Sequence, residues 1–254
     1  MLKKPFVIIL ALTFFWLPQL ALAQKTPAFK VPILMYHYIG QNPTPANKIR
    51  AGLTVSTANF EEQLKLLKNN HSESVFLNQL ENTFNQPTAQ QSKLVVLTFD
   101  DGYRDFYTNA FPLLKKYQTR AVVFVITGVV DTNAYLTWSQ IKEMESSGLV
   151  EFESHTVSHP ELPKLPADKI TNELALSKKT LETKLNKKIN FLAYPYGKNN
   201  TAVQNIAKKT GYLAGFTTKY GWTEKLNLIT PRVRVSGSET LQQFAAALNL
   251  KTNK

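Results

Sequence analysis

Short apolar runs and amphipathic stretches alternate along most of this chain, and that alternation constrains the fold more than any other feature. Residues 94–99, Leu-Val-Val-Leu-Thr-Phe, form a continuous β-branched run of the kind found in strands buried on both faces. Similar runs predict strands at 31–35, 121–126, 150–154, 190–194, 213–217 and 233–235. Ser56 caps a predicted helix carrying Phe60, Leu64 and Leu67, and Thr137 caps one that ends near Gly148. Ile170, Leu174, Leu181 and Leu185 mark the apolar face of a helix over 167–186. Further helices are predicted over 105–117, 200–211 and 241–248, while the polar stretches 40–54 and 82–92 read as loops. Strand and helix alternating about six or seven times imply an α/β fold, a mainly parallel sheet with helices outside. An open doubly wound sheet and a closed barrel both satisfy the pattern. In both, the C-terminal ends of the strands form the active face.

The 254 residues, 43% of them hydrophobic, suffice for one substantial core, and length favours a single domain. Lys3 and Lys4, an apolar run from Pro5 to about Trp16, and Ala21-Leu22-Ala23 predict an export signal over 1–23 with a mature start at Gln24. The unbroken run is short of the ~20 residues that a bilayer span needs. A short linker over 24–30 and one domain over 31–254 would follow, in a periplasmic or extracellular protein. The chain has no cysteine, which excludes a disulfide framework and a lipid-modified cysteine. Its formal charge of +12, or +10 without Lys3 and Lys4, draws it towards anionic surfaces such as cell-envelope polymer. The lysines are dispersed, as in Lys178-Lys179, Lys187-Lys188 and Lys208-Lys209, and no basic–aromatic cluster points to nucleic acid.

Polar, chemically able residues gather at the predicted strand ends. Residues 94–99 run into Asp100-Asp101-Gly102, residues 150–154 into His155 with His159 four positions later, residues 190–194 into Pro195-Tyr196-Gly197, and the first strand into His37. His71 follows a helix and reads as a surface or packing residue. Adjacent strand residues point to opposite faces, but a glycine after the aspartates lets the backbone turn both towards one site. Two close carboxylates repel unless a cation or shared proton stabilises them; an Asp-Gly turn with a capping Asp is the structural alternative. If 155–159 curls into a helical turn, the two imidazoles meet on one face, as metal ligands or as a hydrogen-bonded pair. One carboxylate and two histidines would leave open positions on a metal, where water becomes a nucleophile near neutral pH.

Thr98-Phe99-Asp100-Asp101-Gly102, His155-Thr-Val-Ser-His159-Pro160 and Tyr194-Pro195-Tyr196-Gly197 resemble successive motifs of the polysaccharide deacetylase family, also called NodB-homology or carbohydrate esterase family 4. The segment Pro32-Ile-Leu-Met-Tyr-His37-Tyr-Ile39 resembles the subgroup that includes poly-β-1,6-N-acetylglucosamine deacetylases. The resemblance spans roughly residues 30–240 and implies a distorted (β/α)7 barrel. It implies that Asp101, His155 and His159 hold a divalent metal, commonly zinc, and that Asp100 is the base that deprotonates the attacking water. It also implies that the Tyr196 N–H faces the oxyanion, with Pro195 in the same motif. No histidine follows His159, so His37 takes the role of general acid, as in the subgroup with the early Met-Tyr-His element. Where the family often has an arginine that pairs with the base, this chain has Tyr194; Arg232 and Arg234 are the candidate substitutes. Trp222 either stacks on a sugar or packs in the core. The expected substrate is an N-acetylated glycan. The alternatives are O-acetyl esterase activity and a non-catalytic glycan-binding barrel, while two histidines disfavour a Mg²⁺ phosphoryl-transfer site.

Overall fold

Strands that are apolar on both faces must be covered on both, and closing the sheet on itself achieves this with one layer of helices. The computed structural model describes residues 29–44, 46–85 and 93–252; the predicted export signal lies outside them. In chain order the strands are β1 (Ile33–Tyr36), β2 (Tyr38–Ile39), β3 (Thr54–Val55), β4 (Glu73–Ser74), β5 (Leu94–Phe99), β6 (Ala121–Val125), β7 (Val150–Ser154), β8 (Phe191–Ala193), β9 (Ala214–Tyr220) and β10 (Thr230–Arg234). The helices are α1 (Lys48–Leu53), α2 (Thr57–Asn69), α3 (Leu77–Asn85), α4 (Phe111–Tyr117), α5 (Trp138–Ser146), α6 (Ala167–Leu185), α7 (Thr201–Lys209) and α8 (Leu241–Ala247).

Seven strands close in the order β1-β10-β9-β8-β7-β6-β5, with β5 pairing back onto β1, and every pairing is parallel. The barrel therefore matches the seven-stranded expectation and excludes the open sheet. Side chains alternate as the pleat requires. Ile33, Val96, Val122, Phe124, Phe191 and Phe216 fill the interior. Leu34, Leu97, Val123, Phe152 and Leu192 face outwards into the layer beneath the helices.

Side-chain caps mark most helix starts. The Ser56 side chain accepts from Asn59 N–H at the start of α2, and Thr137 and Gln140 form a capping box on α5. The predicted helix over 105–117 is a π-helical turn, Phe106–Ala110, leading into α4. Pro112, at the start of α4, brings no N–H to the ladder, and the wider turn ends beside it.

Helices enter both predicted loops. Within 40–54, the Asn47 side chain caps α1 by accepting from Arg50 N–H. Within 82–92, α3 extends to Asn85, and 86–92 lie outside the described residues. Leu77 and Leu80 of α3 join Val75 in the interior cluster, and Asn190 Nδ2, just before β8, donates to Asn78. This helix thus plugs the N-terminal mouth of the barrel and leaves the opposite mouth for chemistry.

The interior also holds a buried acid. Glu153 Oε2 accepts from the N–H groups of Asn190 and Phe191 at 3.0 and 2.8 Å, while Oε1 has no partner among the described residues. Burial pushes this carboxyl up to about 8, against the opposing pull of Lys187 and the two N–H donors. A raised carboxyl contributes stability that is complete below its unfolded value and is lost as pH rises through its folded value. Wild-type stability should therefore decline between about pH 5 and 8, by an amount on the order of a few kcal/mol. Glu153→Gln keeps an oxygen on the two N–H groups, and its melting temperature should be flatter across that window than the wild type's.

Candidate active site

The C-terminal mouth of the barrel opens into a cleft of about 690 Å³ lined by His37, Asp100, Asp101, His155, His159 and Tyr196. Each comes from the end of a strand. Asp100 donates its N–H to the Tyr36 carbonyl, continuing the β5–β1 ladder. Asp101 and Gly102 then take φ of 73° and 76°, and this reversal brings both carboxylates to one site. Of the nine described non-glycine residues with positive φ, Asp101, Thr156, His159 and Tyr196 belong to this mouth. Each costs of order 1–3 kcal/mol and persists because its surroundings over-determine it.

The segment after β7 shows how. It does not curl into a helical turn, because Thr156 is left-handed at φ 68°. Its Oγ1 accepts from His159 N–H at 3.0 Å. Glu173, on α6, accepts from Val157 N–H and Ser158 N–H at 2.9 Å each and from Ser158 Oγ at 2.6 Å. On the other side Gly128 donates its N–H to the Val157 carbonyl. A Cβ at Gly128 would lie 2.6 Å from that oxygen, so only glycine fits. The histidine segment is thereby clamped from both sides. Glu173 gave no sign of this in the sequence, since a glutamate on an amphipathic helix reads as solvated surface.

Asp101, His155 and His159 form the one group of three metal-capable side chains found among the described residues. Asp101 Oδ1 lies 3.2 Å from His155 Nε2 and 3.5 Å from His159 Nε2. Ligand atoms on a tetrahedral ion with bonds of about 2.1 Å lie about 3.4 Å apart. His155 Nδ1 donates to the Ala193 carbonyl at 2.7 Å, so the neutral ring turns a lone pair, not a proton, towards Asp101. Asp101 Oδ1 is consequently buried with no donor. Lone pairs facing one another require a cation or a shared proton. Burial opposes a proton on His155, but Asp101 and Asp100 outweigh it and raise the imidazole. Burial and the neighbouring His155 push His159 down to about 4. The trio thus accommodates one positive charge, and its donor set fits a divalent transition metal.

Asp100 belongs to a different network. Arg232 grips it with two parallel bonds, Nη1 to Oδ1 and Nη2 to Oδ2, both 2.7 Å. The guanidinium also donates to Thr98 Oγ1 and the Thr217 carbonyl, at 3.0 and 3.1 Å. Burial would raise the Asp100 carboxyl, but the charge and hydrogen bonds of Arg232 hold it well below the usual carboxylate range. Of the two candidate arginines, Arg232 makes the contact, and Arg234 lines the cleft rim. His37 Nε2 stands 3.9 Å from Asp100 Oδ2. Burial lowers its imidazole, while both carboxylates pull the other way.

Pro195 is buried in a tight turn whose next residue, Tyr196, is left-handed and 56% exposed, its ring 4.6 Å from that of His159. Trp222 is not at the cleft. Its neighbour Thr223 bridges Val31 ahead of β1, and its indole Nε1 donates to the Ala247 carbonyl at 3.2 Å. Of its two sequence roles, the structure supports packing. His71 is exposed in the turn after α2.

The family model for polysaccharide deacetylase matches residues 88–215. The Bacillus subtilis protein YxkH, whose name places it among polysaccharide deacetylases, is 35% identical over 219 residues, 85% of this chain and 75% of that one. The poly-β-1,6-N-acetyl-D-glucosamine N-deacetylase of Staphylococcus aureus is 33% identical over 192 residues, 70% of this chain and 63% of that enzyme. Among solved structures, the Streptococcus pyogenes deacetylase PplD, in complex with acetate, superposes with a TM-score of 0.81 at 33% identity, covering 87% of this chain and 99% of that one.

Proposed function

This chain belongs to the polysaccharide deacetylase family, and from that membership and its site we propose a metal-dependent hydrolase that removes N-acetyl groups from a cell-envelope or extracellular polysaccharide. One observation carries the metal dependence: the buried Asp101 oxygen with no donor, set between two imidazole nitrogens. Asp101, His155 and His159 would hold the cation, with zinc the metal that suits this donor set. When bound, a divalent cation supplies Lewis acidity, lowering the pKa of water and polarising the acetyl carbonyl.

The chain's own groups do the rest. Asp100, held in its ionised form by the charge and hydrogen bonds of Arg232, accepts the proton of the attacking water. Arg232 fixes the plane of that carboxylate, so the accepting oxygen is aimed before substrate arrives. The Tyr196 backbone N–H, presented by the Pro195 turn, donates to the developing oxyanion. As the C–N bond breaks, His37 delivers a proton to the departing amine; burial lowers its imidazole, and the charges of Asp100 and Asp101 oppose that lowering. The predicted export signal and the net positive charge support an envelope substrate.

Acetate release tests this directly, measured on poly-β-1,6-N-acetylglucosamine, chitin oligomers, peptidoglycan and acetylxylan. Release from an N-acetylated glycan, lost on chelation and restored by zinc, is expected. Release from acetylxylan alone would make the protein an O-acetyl esterase. Release from none, with metal bound, would leave a glycan-binding barrel. His155→Ala should lose its metal on elemental analysis. His37→Ala should keep metal and lose roughly 10²–10³-fold in turnover; metal loss there would make His37 a ligand instead.

A further inference from the structure

The cleft also has a wall that the hydrolytic chemistry does not use. Tyr38, Tyr103 and Tyr135 all line it beside Asp101. Tyr38 and Tyr103 stack with centroids 3.8 Å apart, and Tyr103 and Tyr135 with centroids 5.1 Å apart, each pair tilted by 25°. Arg50 of α1 closes the far end, its Cζ 3.2 Å from the Tyr38 centroid. The order along the wall is therefore Arg50, Tyr38, Tyr103, Tyr135. Tyr38 and Tyr103 each have neighbours on both sides. Tyr135 has a stacking partner on one side only among the described residues, and it is half-buried.

The outermost ring is held in place by the segment that carries the site. Arg104 N–H donates to the Ala134 carbonyl and Leu136 N–H to the Gly102 carbonyl, at 2.9 and 3.0 Å. The Arg104 side chain adds Nε to the Tyr135 carbonyl and Nη2 to the Thr132 carbonyl, at 3.1 and 2.9 Å. The loop bearing Tyr135 is thus zipped to the residues just after Asp101. A rigid aromatic platform at a fixed offset from the reacting centre loses little entropy when a ligand settles on it.

We infer that this wall is a second subsite, in which the outer face of Tyr135 stacks on the neutral pyranose ring adjoining the residue being deacetylated. A pyranose has apolar C–H faces and a hydroxyl rim, and a phenol offers an apolar face with a polar edge to match. Arg50 caps the far end of the stack, so the open end presents a phenol ring rather than a charge, and that face suits an uncharged sugar. This inference rests on the deacetylase function proposed above and assigns to it a preference for chains over single sugars.

The test compares kcat/KM for acetate release from a β-1,6-linked N-acetylglucosamine tetramer with kcat/KM on an aryl acetate, for wild type, Tyr135→Ala and Tyr135→Phe. The ratio of tetramer to aryl acetate should fall roughly tenfold in Tyr135→Ala, the size of a lost contact of about 1.4 kcal/mol. Tyr135→Phe keeps the ring and should restore most of the ratio. Chitin tetramer replaces the probe if the glycan panel shows that linkage to be the one cleaved. An unchanged ratio in Tyr135→Ala, with thermal unfolding confirming a folded variant, would overturn the subsite and leave the deacetylase function standing. No acetate from any glycan with the wild-type enzyme would overturn both.

Discussion

Asp100→Asn should purify folded and metal-loaded, yet release acetate roughly 10³-fold or more slowly than wild type. The size follows from the loss of the base, a step worth up to about 10⁴-fold. The separation from metal binding follows from the geometry. Asp100 and Asp101 are neighbours in sequence, but the left-handed turn at Asp101 sends them to different partners. Asp101 faces the two histidines, and Asp100 faces Arg232 and His37. Asparagine keeps one oxygen for Arg232 and gives up the charge, so unfolding should occur at a lower temperature while the metal content stays at wild-type level. Acetate release under saturating zinc, with metal content measured on the same sample, decides the matter. Wild-type-like turnover would remove Asp100 from the chemistry, and loss of metal would make it a ligand.

How much of this was legible beforehand depends on the distance over which each signal acts. The barrel strands were legible because a strand buried on both faces must be continuously apolar, as 94–99 and 121–125 are. The site residues were legible because strand ends in such folds converge on one mouth. Helix α3 was hidden because its apolar residues, Leu77, Leu80 and Phe84, precede a polar stretch, and its role in plugging the barrel is a tertiary one. Trp222 was ambiguous because a Tyr-Gly-Trp after a strand suggests the active face, whereas the chain there turns to pair with Val31. The choice between Arg232 and Arg234 was open for a sharper reason. Residues two apart on a strand point the same way, so parity cannot separate them. Depth separates them: Arg232 is 1% exposed beneath Asp100, and Arg234 lies exposed at the rim.

That depth makes Arg232 the position where substitution should cost most stability. Arg232→Met leaves the Asp100 carboxylate buried without its counter-charge, and breaking such a pair costs about 3–5 kcal/mol. Thr98 Oγ1 and the Thr217 carbonyl lose a donor as well. The cost has a definite pH signature. In the wild type the depressed Asp100 carboxyl contributes stability that is present above the ordinary carboxylate value and is lost as pH falls below it. Without Arg232, burial dominates and the carboxyl rises, so the variant should be least disadvantaged in acid, where Asp100 is neutral. Arg232→Lys should recover little, because one ammonium cannot reproduce two parallel bonds. The decisive measurement is a double-mutant cycle by denaturant unfolding with Asp100→Asn. Removing the charge that Arg232 balances should make Arg232→Met far cheaper in that background, with a coupling of about 2 kcal/mol or more. Additive losses would mean that the two side chains do not act as a pair, and the proposed orientation of the base by Arg232 would fail with them.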